Sequence, residues 1–328
     1  MNTWLSLLLK SVIFPGFLFI FAFALFVEWF ERKLTGRMEN RMGPSYTGPF
    51  GVLQPFADFI KLLQKETIDV RSMSTRIVDF MIIASLSLYI LCALFIPYTG
   101  KSVLSFDGDV VLVSLLLSLA SGLLYFAGLL SRNAFTVVGA VRLLLQVVAL
   151  DIPLVLLAIV PVIITGRFSI VEIAHRMPES LIYAPFLIPF WLVALMFEAI
   201  TEQAEIERNP FSMPHAETEI VAGYITEFSG VRLALVNLAR DVQLTVTSSF
   251  LASIFLSGLL RPVSNMAMFI NVVLLILETL LIVFVATEIK CITARLRIDI
   301  ALDLFWKYII PLCTLLVILL FSVKVIAL

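Results

Sequence analysis

The chain has 328 residues, 61% of them hydrophobic and 14% charged, with a mean hydropathy of +1.06. These figures exclude a water-soluble globule, in which about 25% of residues would be charged, and they exclude disorder, which needs low hydrophobicity and high net charge. The 23 basic and 24 acidic residues leave a net charge of −1, so nothing points to nucleic acid as a partner.

What remains is a polytopic membrane protein. At about 20 apolar residues per span, the length holds roughly eight helices with short connections. Lys10 precedes an apolar stretch to Phe30 that is too long for a signal-peptide core and lacks a small-residue cleavage site, so it reads as a retained first span. Apolar segments fall near 11–30, 77–97, 110–130, 135–164, 181–200, 242–260, 267–288 and 308–327. Only helices or closed barrels cross a bilayer, and no period-2 alternation of barrel type is present. The expected fold is therefore all-α: one transmembrane domain over residues 1–328 with about eight spans, without internal repeat or soluble domain. The 135–164 segment carries Arg142, Gln146, Asp151 and Pro153 and is expected to tilt or kink.

Cys92 and Cys313 sit in apolar runs and read as small hydrophobes. There is no CxxC, and the two histidines are His175 and His215. Ligand sets for zinc, haem c and iron–sulfur clusters are lacking, so no cofactor or metal is expected in this chain. The connections 31–76, 131–134, 201–241 and 289–307 hold 16 Lys and Arg, against 6 on the opposite side. By the positive-inside rule the loops 31–76 and 201–241 face the cytoplasm and both termini face outside, in the cell membrane.

Loop 31–76 has a Gly/Pro cluster (Gly43, Pro44, Gly48, Pro49, Gly51), followed by Phe56, Phe59, Ile60 and Leu63 at helical spacing, with Asp58, Lys61 and Lys65 away from them. This pattern predicts an amphipathic helix at the membrane interface. It fits equally a plain surface helix and a segment that shapes a docking surface.

Loop 201–241 is acidic. Glu198, Glu202 and Glu205 stand at i, i+4 and i+7 and share one face if the helix of the fifth span continues. Like charges so close disfavour joint ionisation, and a row of carboxylates leading out of a bilayer is the chemistry that a proton path needs. The plainer reading is a solvated anionic face. Asp151 and Glu278 weigh against it, because both lie within apolar spans, where carboxylates are expensive. Glu28, Asp79 and Glu288 lie near span ends, where solvation is the simpler expectation.

Specific motifs then narrow the reading. Glu31-Arg32-Lys33, Arg41-Met42-Gly43-Pro44, Gly48-Pro49, Gly51, Leu53-Gln54-Pro55, Ala57-Asp58, Lys61-Leu62 and Lys65-Glu66 resemble the first loop of respiratory complex I subunit 1, the bacterial H subunit. Arg208-Asn209-Pro210-Phe211, Pro214, Ala216 to Tyr224 and Thr226 to Gly230 resemble its loop between helices five and six. Gln146 with Asp151 and Pro153 is similar to its fourth-helix segment, where the family usually has Glu at the Asp151 position.

The resemblance implies a subunit that joins a peripheral electron-transfer arm to antiporter-like, ion-pumping membrane subunits. It assigns Glu205, Glu217, Glu219 and Glu227 to an acidic channel entrance, Asp151 to a deeper position, and Arg32, Arg41, Gln54 and Asp58 to the docking of the peripheral arm. Glu198 and Glu202 rest on spacing alone. Ser212, His215, Arg240 and the stretch Thr293 to Asp299 depart from the quinone-reducing enzymes. The pattern looks closer to the membrane subunit of archaeal energy-converting [NiFe] hydrogenases and related sulfur-reducing complexes, with a quinone-chamber subunit as the alternative. Iron–sulfur clusters and, in the hydrogenase branch, a nickel–iron centre would belong to partner subunits.

Overall fold

The computed structural model describes residues 9–71, 73–256 and 268–327, apart from the side chains of residues 217, 218, 268 and 327. Among the described residues there are helices and turns and no strands. The α-helices of seven or more residues are α1 (Phe17–Met38), α2 (Gln54–Gln64), α3 (Thr75–Ala93), α4 (Asp109–Leu129), α5 (Ala134–Thr165), α6 (Ile170–Tyr183), α7 (Ile188–Glu205), α8 (Gly230–Leu251), α9 (Met268–Ile292), α10 (Ile298–Leu304) and α11 (Ile310–Ala327). Seven helical stretches among the described residues are long and apolar enough to cross a membrane: Leu9–Met38, Thr75–Ala93, Asp109–Leu129, Ala134–Thr165, Pro185–Glu205, Phe269–Ile292 and Ile298–Ile326.

The span expected near 242–260 falls on α8, which continues as a π-helical turn over Ala252–Leu256. The rest of that span lies outside the described residues. The seven stretches are drawn from the described residues alone and so do not include α8, whose surroundings are nevertheless distinctive. Every residue from Asp241 to Phe255 is buried, with α1, α2, α3 and α9 packed against it. A helix enclosed by protein tolerates polar positions that lipid would not. Its hydroxyls turn back on their own helix, Thr245 to the Asp241 carbonyl at 2.8 Å, Thr247 to Gln243 at 2.9 Å and Ser249 to Thr245 at 2.6 Å, so these donors are not stranded.

α5 is the longest helix. It starts at a capping box formed by Asn133 and Thr136 and ends at Gly166, whose φ of 71° suits glycine. Pro153 and Pro161 lie inside it without ending it. Two connections are shorter than the sequence suggests. α7 runs to Glu205 and α8 starts at Gly230, so the acidic loop is 206–229. The connection expected over 289–307 is mostly helical, since α9 reaches Ile292 and α10 starts at Ile298.

The first loop is pinned to the bundle. Lys33 donates to the Pro44 carbonyl at 2.8 Å and the Trp29 indole to the Phe50 carbonyl at 3.2 Å. The amphipathic helix α2 packs on α1 through Phe56 and Phe59, whose rings lie 6.5 and 5.5 Å from that of Phe21, and it leaves Phe56, Ile60 and Leu63 exposed. Arg232 of α8 ties Asp69 and Asp79, each at 2.6 Å. Asp79 is thus ion-paired rather than simply solvated. Cys92 and Cys313 are buried in the core.

Candidate functional site

α7 continues past the fifth apolar segment, so Glu198, Glu202 and Glu205 do share a face. Each is 3–4% exposed. The Thr201 hydroxyl donates to Glu198 at 3.2 Å, Ser248 of α8 to Glu202 at 2.6 Å, and the Gln243 amide of α8 to Glu205 at 3.3 Å. Among the described residues none of the three carboxylates has an ion-pair partner. Neutral donors satisfy them, and the donors come largely from α8, which explains why that helix keeps its polar side chains.

Asp151 of α5 joins this stripe. It accepts from Ser118 of α4 at 2.5 Å and lies close enough to Glu205 for their charges to interact. The salt bridge with Arg142 that would make Asp151 purely structural does not form. Arg142, about two and a half turns along α5 from Asp151, instead reaches Glu219 of the loop at 2.6 Å. A cavity of about 210 Å³ opens beside Glu198 and Glu202, walled by apolar residues of α7, α8, the π-turn and α9, including Leu195, Phe255 and Val285. Glu278 of α9 is fully buried.

A charged collar caps the loop end of the stripe. Glu207 turns back just beyond α7 with φ 54° and is 2% exposed. It faces the His215 Nε2 at 2.5 Å. Burial alone would raise the Glu207 carboxyl, but the hydrogen bond and charge from His215, with Arg240 and Arg208 nearby, hold it below its ordinary value. Burial and the Arg240 charge push His215 down, against the upward pull of Glu207.

Beside them Glu31 of α1, 5% exposed, accepts from Arg208 at 2.9 Å and from Lys290 of α9 at 2.7 Å. Glu28 pairs with Arg32 and lies within hydrogen-bonding reach of Asp241. Only 12% of the Glu28 side chain is exposed, so the solvated carboxylate expected at that span end is enclosed.

The other expected residues have separate places. Glu219 is half-exposed between Arg142 at 2.6 Å and Arg295 at 2.5 Å. The Arg142 hydrogen bond and the charges of both arginines hold its carboxyl low, against a small desolvation. Glu227 accepts from Asn133, the N-cap of α5. The Glu217 side chain lies outside the described residues. Arg32 bonds Asp58 at 2.8 Å, Asp58 accepts from Gln54 at 3.0 Å, and Gln54 bonds Thr47. Asp58 therefore turns toward α1 rather than to solvent. Among the described residues Arg41 pairs with Glu39, at 2.6 Å on the surface.

The stripe thus gathers Asp151, Glu198, Glu202 and Glu205 and adds Glu207, while Glu219 and Glu227 bind elsewhere. Sequence reasoning gives no role to Glu31, Arg208 and Lys290. Their separation along the chain hides the triad, and the one local signal is that Glu31 and Arg208 each open one of the two motif loops. On the loop side, the cavity between α1, α2 and α8 around Arg32, Asp58 and Asp241 holds about 30 Å³, and the one around Arg142, Glu219 and Arg297 about 100 Å³. Among the described residues no cluster of three or more His, Cys, Asp or Glu could hold a metal ion.

Comparison with known proteins agrees with this architecture. The NADH dehydrogenase family profile matches residues 11–321. The H subunit of the NADH-quinone oxidoreductase of Thermomicrobium roseum is 34% identical over 307 residues, 88% of each chain. A chain in the structure of the membrane-bound sulfane sulfur reductase, an archaeal respiratory membrane complex, superposes with a TM-score of 0.80 at 28% identity, covering 96% of this chain and 99% of that one. With its membrane-capable helices and motif loops, the chain belongs to the NADH dehydrogenase family, that of the complex I H-type subunits, and is a multi-pass cell-membrane subunit of a complex I-like complex.

Proposed function

We propose that this chain is the coupling subunit of a redox-driven ion translocase. In this reading the loops 31–76 and 201–241 face the cytoplasm and meet the peripheral electron-transfer subunits, which carry the iron–sulfur clusters. The stripe of Glu205, Glu202, Glu198 and Asp151 relays protonation or charge displacement toward antiporter-like membrane neighbours. The observation that carries the proposal is the run of three carboxylates along α7, each buried and satisfied by neutral donors instead of cations. Buried carboxylates held without counter-ions are costly, and exchange of protons is the function that such an arrangement serves.

A ferredoxin-fed hydrogenase or sulfur-reducing complex is the preferred setting. The departures at Ser212, His215, Arg240 and Thr293 to Asp299, together with the structural likeness to a chain of the membrane-bound sulfane sulfur reductase, support it. His215 in its contact with Glu207, and Arg240 beside them, fill loop space with protein charge. The identity to the H subunit of an NADH-quinone oxidoreductase favours the alternative, a quinone-chamber subunit. The composition of the purified complex separates the two. A hydrogenase-like or sulfur-reductase-like peripheral subunit without extractable quinone supports the first reading, and stoichiometric bound quinone supports the second. The relay itself is tested by Glu202→Gln, which keeps the shape and the Ser248 bond and is expected to leave electron transfer intact while ion transport falls.

A further inference from the structure

At the end of the bundle opposite the long loops, the C-terminal ends of α5 and α11 meet the start of α7, and the short helix α6 lies between them. α6 is held from two directions. Asp109 of α4 accepts from the Ile170 backbone N–H at 2.7 Å and from Ser169 at 3.4 Å, and His175 bonds the Gly100 carbonyl at 3.2 Å. One face of α6 is buried through Ile170, Ile173, Ala174, Met177 and Leu181, while Tyr183 and, just beyond, Phe186 are exposed at 85% and 45%. An amphipathic helix with aromatic residues at the ends of membrane helices is the pattern of a membrane–water boundary.

An open cleft of about 390 Å³ lies against this helix. Its apolar wall is made by Ile164, Phe186 and Leu187, and its rim carries Arg176 and Lys324. Lys324 donates to the Ile163 carbonyl and to that of Ile164 at 3.2 Å, so its ammonium is fixed at the negative end of α5. Among the described residues the Arg176 guanidinium has no ion-pair partner, although Glu179 shares the rim. Two cations above an apolar wall at a membrane boundary match a lipid in both halves: a phosphate for the cations and acyl chains for the wall.

We propose that this cleft binds the headgroup of an anionic phospholipid from the leaflet at that end, with Arg176 as the main phosphate contact and Lys324 as its fixed second charge. The site would anchor α6 where α5, α7 and α11 converge.

The test uses the purified, delipidated complex and native mass spectrometry, with dioleoyl-phosphatidylglycerol and dioleoyl-phosphatidylcholine added in parallel. The expected result is preferential retention of phosphatidylglycerol. Loss of one cation beside an anionic headgroup weakens retention by about fivefold, so Arg176→Gln should fall by that factor while phosphatidylcholine binding is unchanged. Lys324→Met should fall similarly, and Glu179→Gln should rise, which keeps a readout if the Lys324 variant assembles poorly. Equal retention of the two lipids, or a phosphatidylglycerol preference that survives Arg176→Gln, would overturn the proposal. So would displacement of the lipid by millimolar inorganic phosphate, which would mark a free-anion site. A photoreactive residue at position 183 in nanodiscs should capture lipid, and capture of a neighbouring subunit instead would assign the cleft to protein.

Discussion

The Glu31 triad makes the most quantitative prediction about the collar. Arg208→Met removes one of two cations from a carboxylate whose side chain is 6% exposed, leaving Lys290 at 2.7 Å. Breaking a buried ion pair from one side costs about 3–5 kcal/mol. The retained Lys290 and the 23% exposure of the Arg208 side chain lower that toward the value of one charge-assisted hydrogen bond, about 1.5–3 kcal/mol. With about 2.1 cal/mol/K of unfolding entropy per residue over 328 residues, this is a fall of roughly 2–4 °C in Tm. Thermal unfolding of the purified complex, read by thiol exposure of the buried Cys92 and Cys313, measures it. Glu31→Gln should cost at least as much, because two cations then lose their counter-charge. The double variant should cost clearly less than the sum of the two. Additivity within about 0.5 kcal/mol would show that Glu31 and Arg208 do not interact energetically and would refute the triad as the clamp of the 206–229 loop.

Neighbouring residues give further expected outcomes. His215 has its pKa lowered from 6.5, so the unfolded chain gains a proton first as pH falls below about 6.5 and stability is lost from there downward. His215→Gln should flatten Tm between pH 5 and 7. Glu207 also has a lowered value, and its stabilisation is present above 4.5 and lost as pH falls through the folded value. That acid limb should persist in the His215 variant, though weakened. Gly139→Ala places a Cβ 2.6 Å from the Tyr224 backbone nitrogen, and the resulting overpacking, about 1–3 kcal/mol, should free the 213–225 segment to protease while Gly122→Ala, with open space around it, does not. Arg41→Ala should weaken attachment of the peripheral subunits in a pull-down without lowering Tm, whereas Arg32→Ala should lower Tm as well, because Arg32 also holds α2 through Asp58.

Hydropathy carries most of the membrane architecture, because an apolar run long enough to cross a bilayer has few places to go except into one. α8 shows what that reasoning leaves open. The apolar segment 242–260 marks it as a span, but hydropathy does not tell that it is among the most buried helices, enclosed by protein in which Arg240, Asp241, Gln243 and a series of hydroxyls can be accommodated. The helical spacing of Glu198, Glu202 and Glu205 places them on one face, and the helix does extend to Glu205. Their neutral partners Ser248 and Gln243 are not legible from spacing, because they come from a helix about 40 residues further along the chain. Nor is the destination of Arg142: a lone cation on α5 leaves Asp151 and the later loop equally available, and only the fold brings Glu219 to it. The family resemblance groups Glu219 and Glu227 with Glu205 at a channel entrance. The loop folds back on α5 instead, and each finds a separate partner there.

Whether the buried stripe moves ions or merely fills space is decided by the number of ions transported per electron. The measurement uses sealed vesicles containing the complex with Glu202→Gln or Asp151→Asn. Both changes keep side-chain shape and a hydrogen-bond acceptor for Ser248 or Ser118. An ion-conducting stripe predicts unchanged electron transfer with ion transport reduced to a small fraction of the wild-type ratio, and a wild-type ratio in both variants would contradict it.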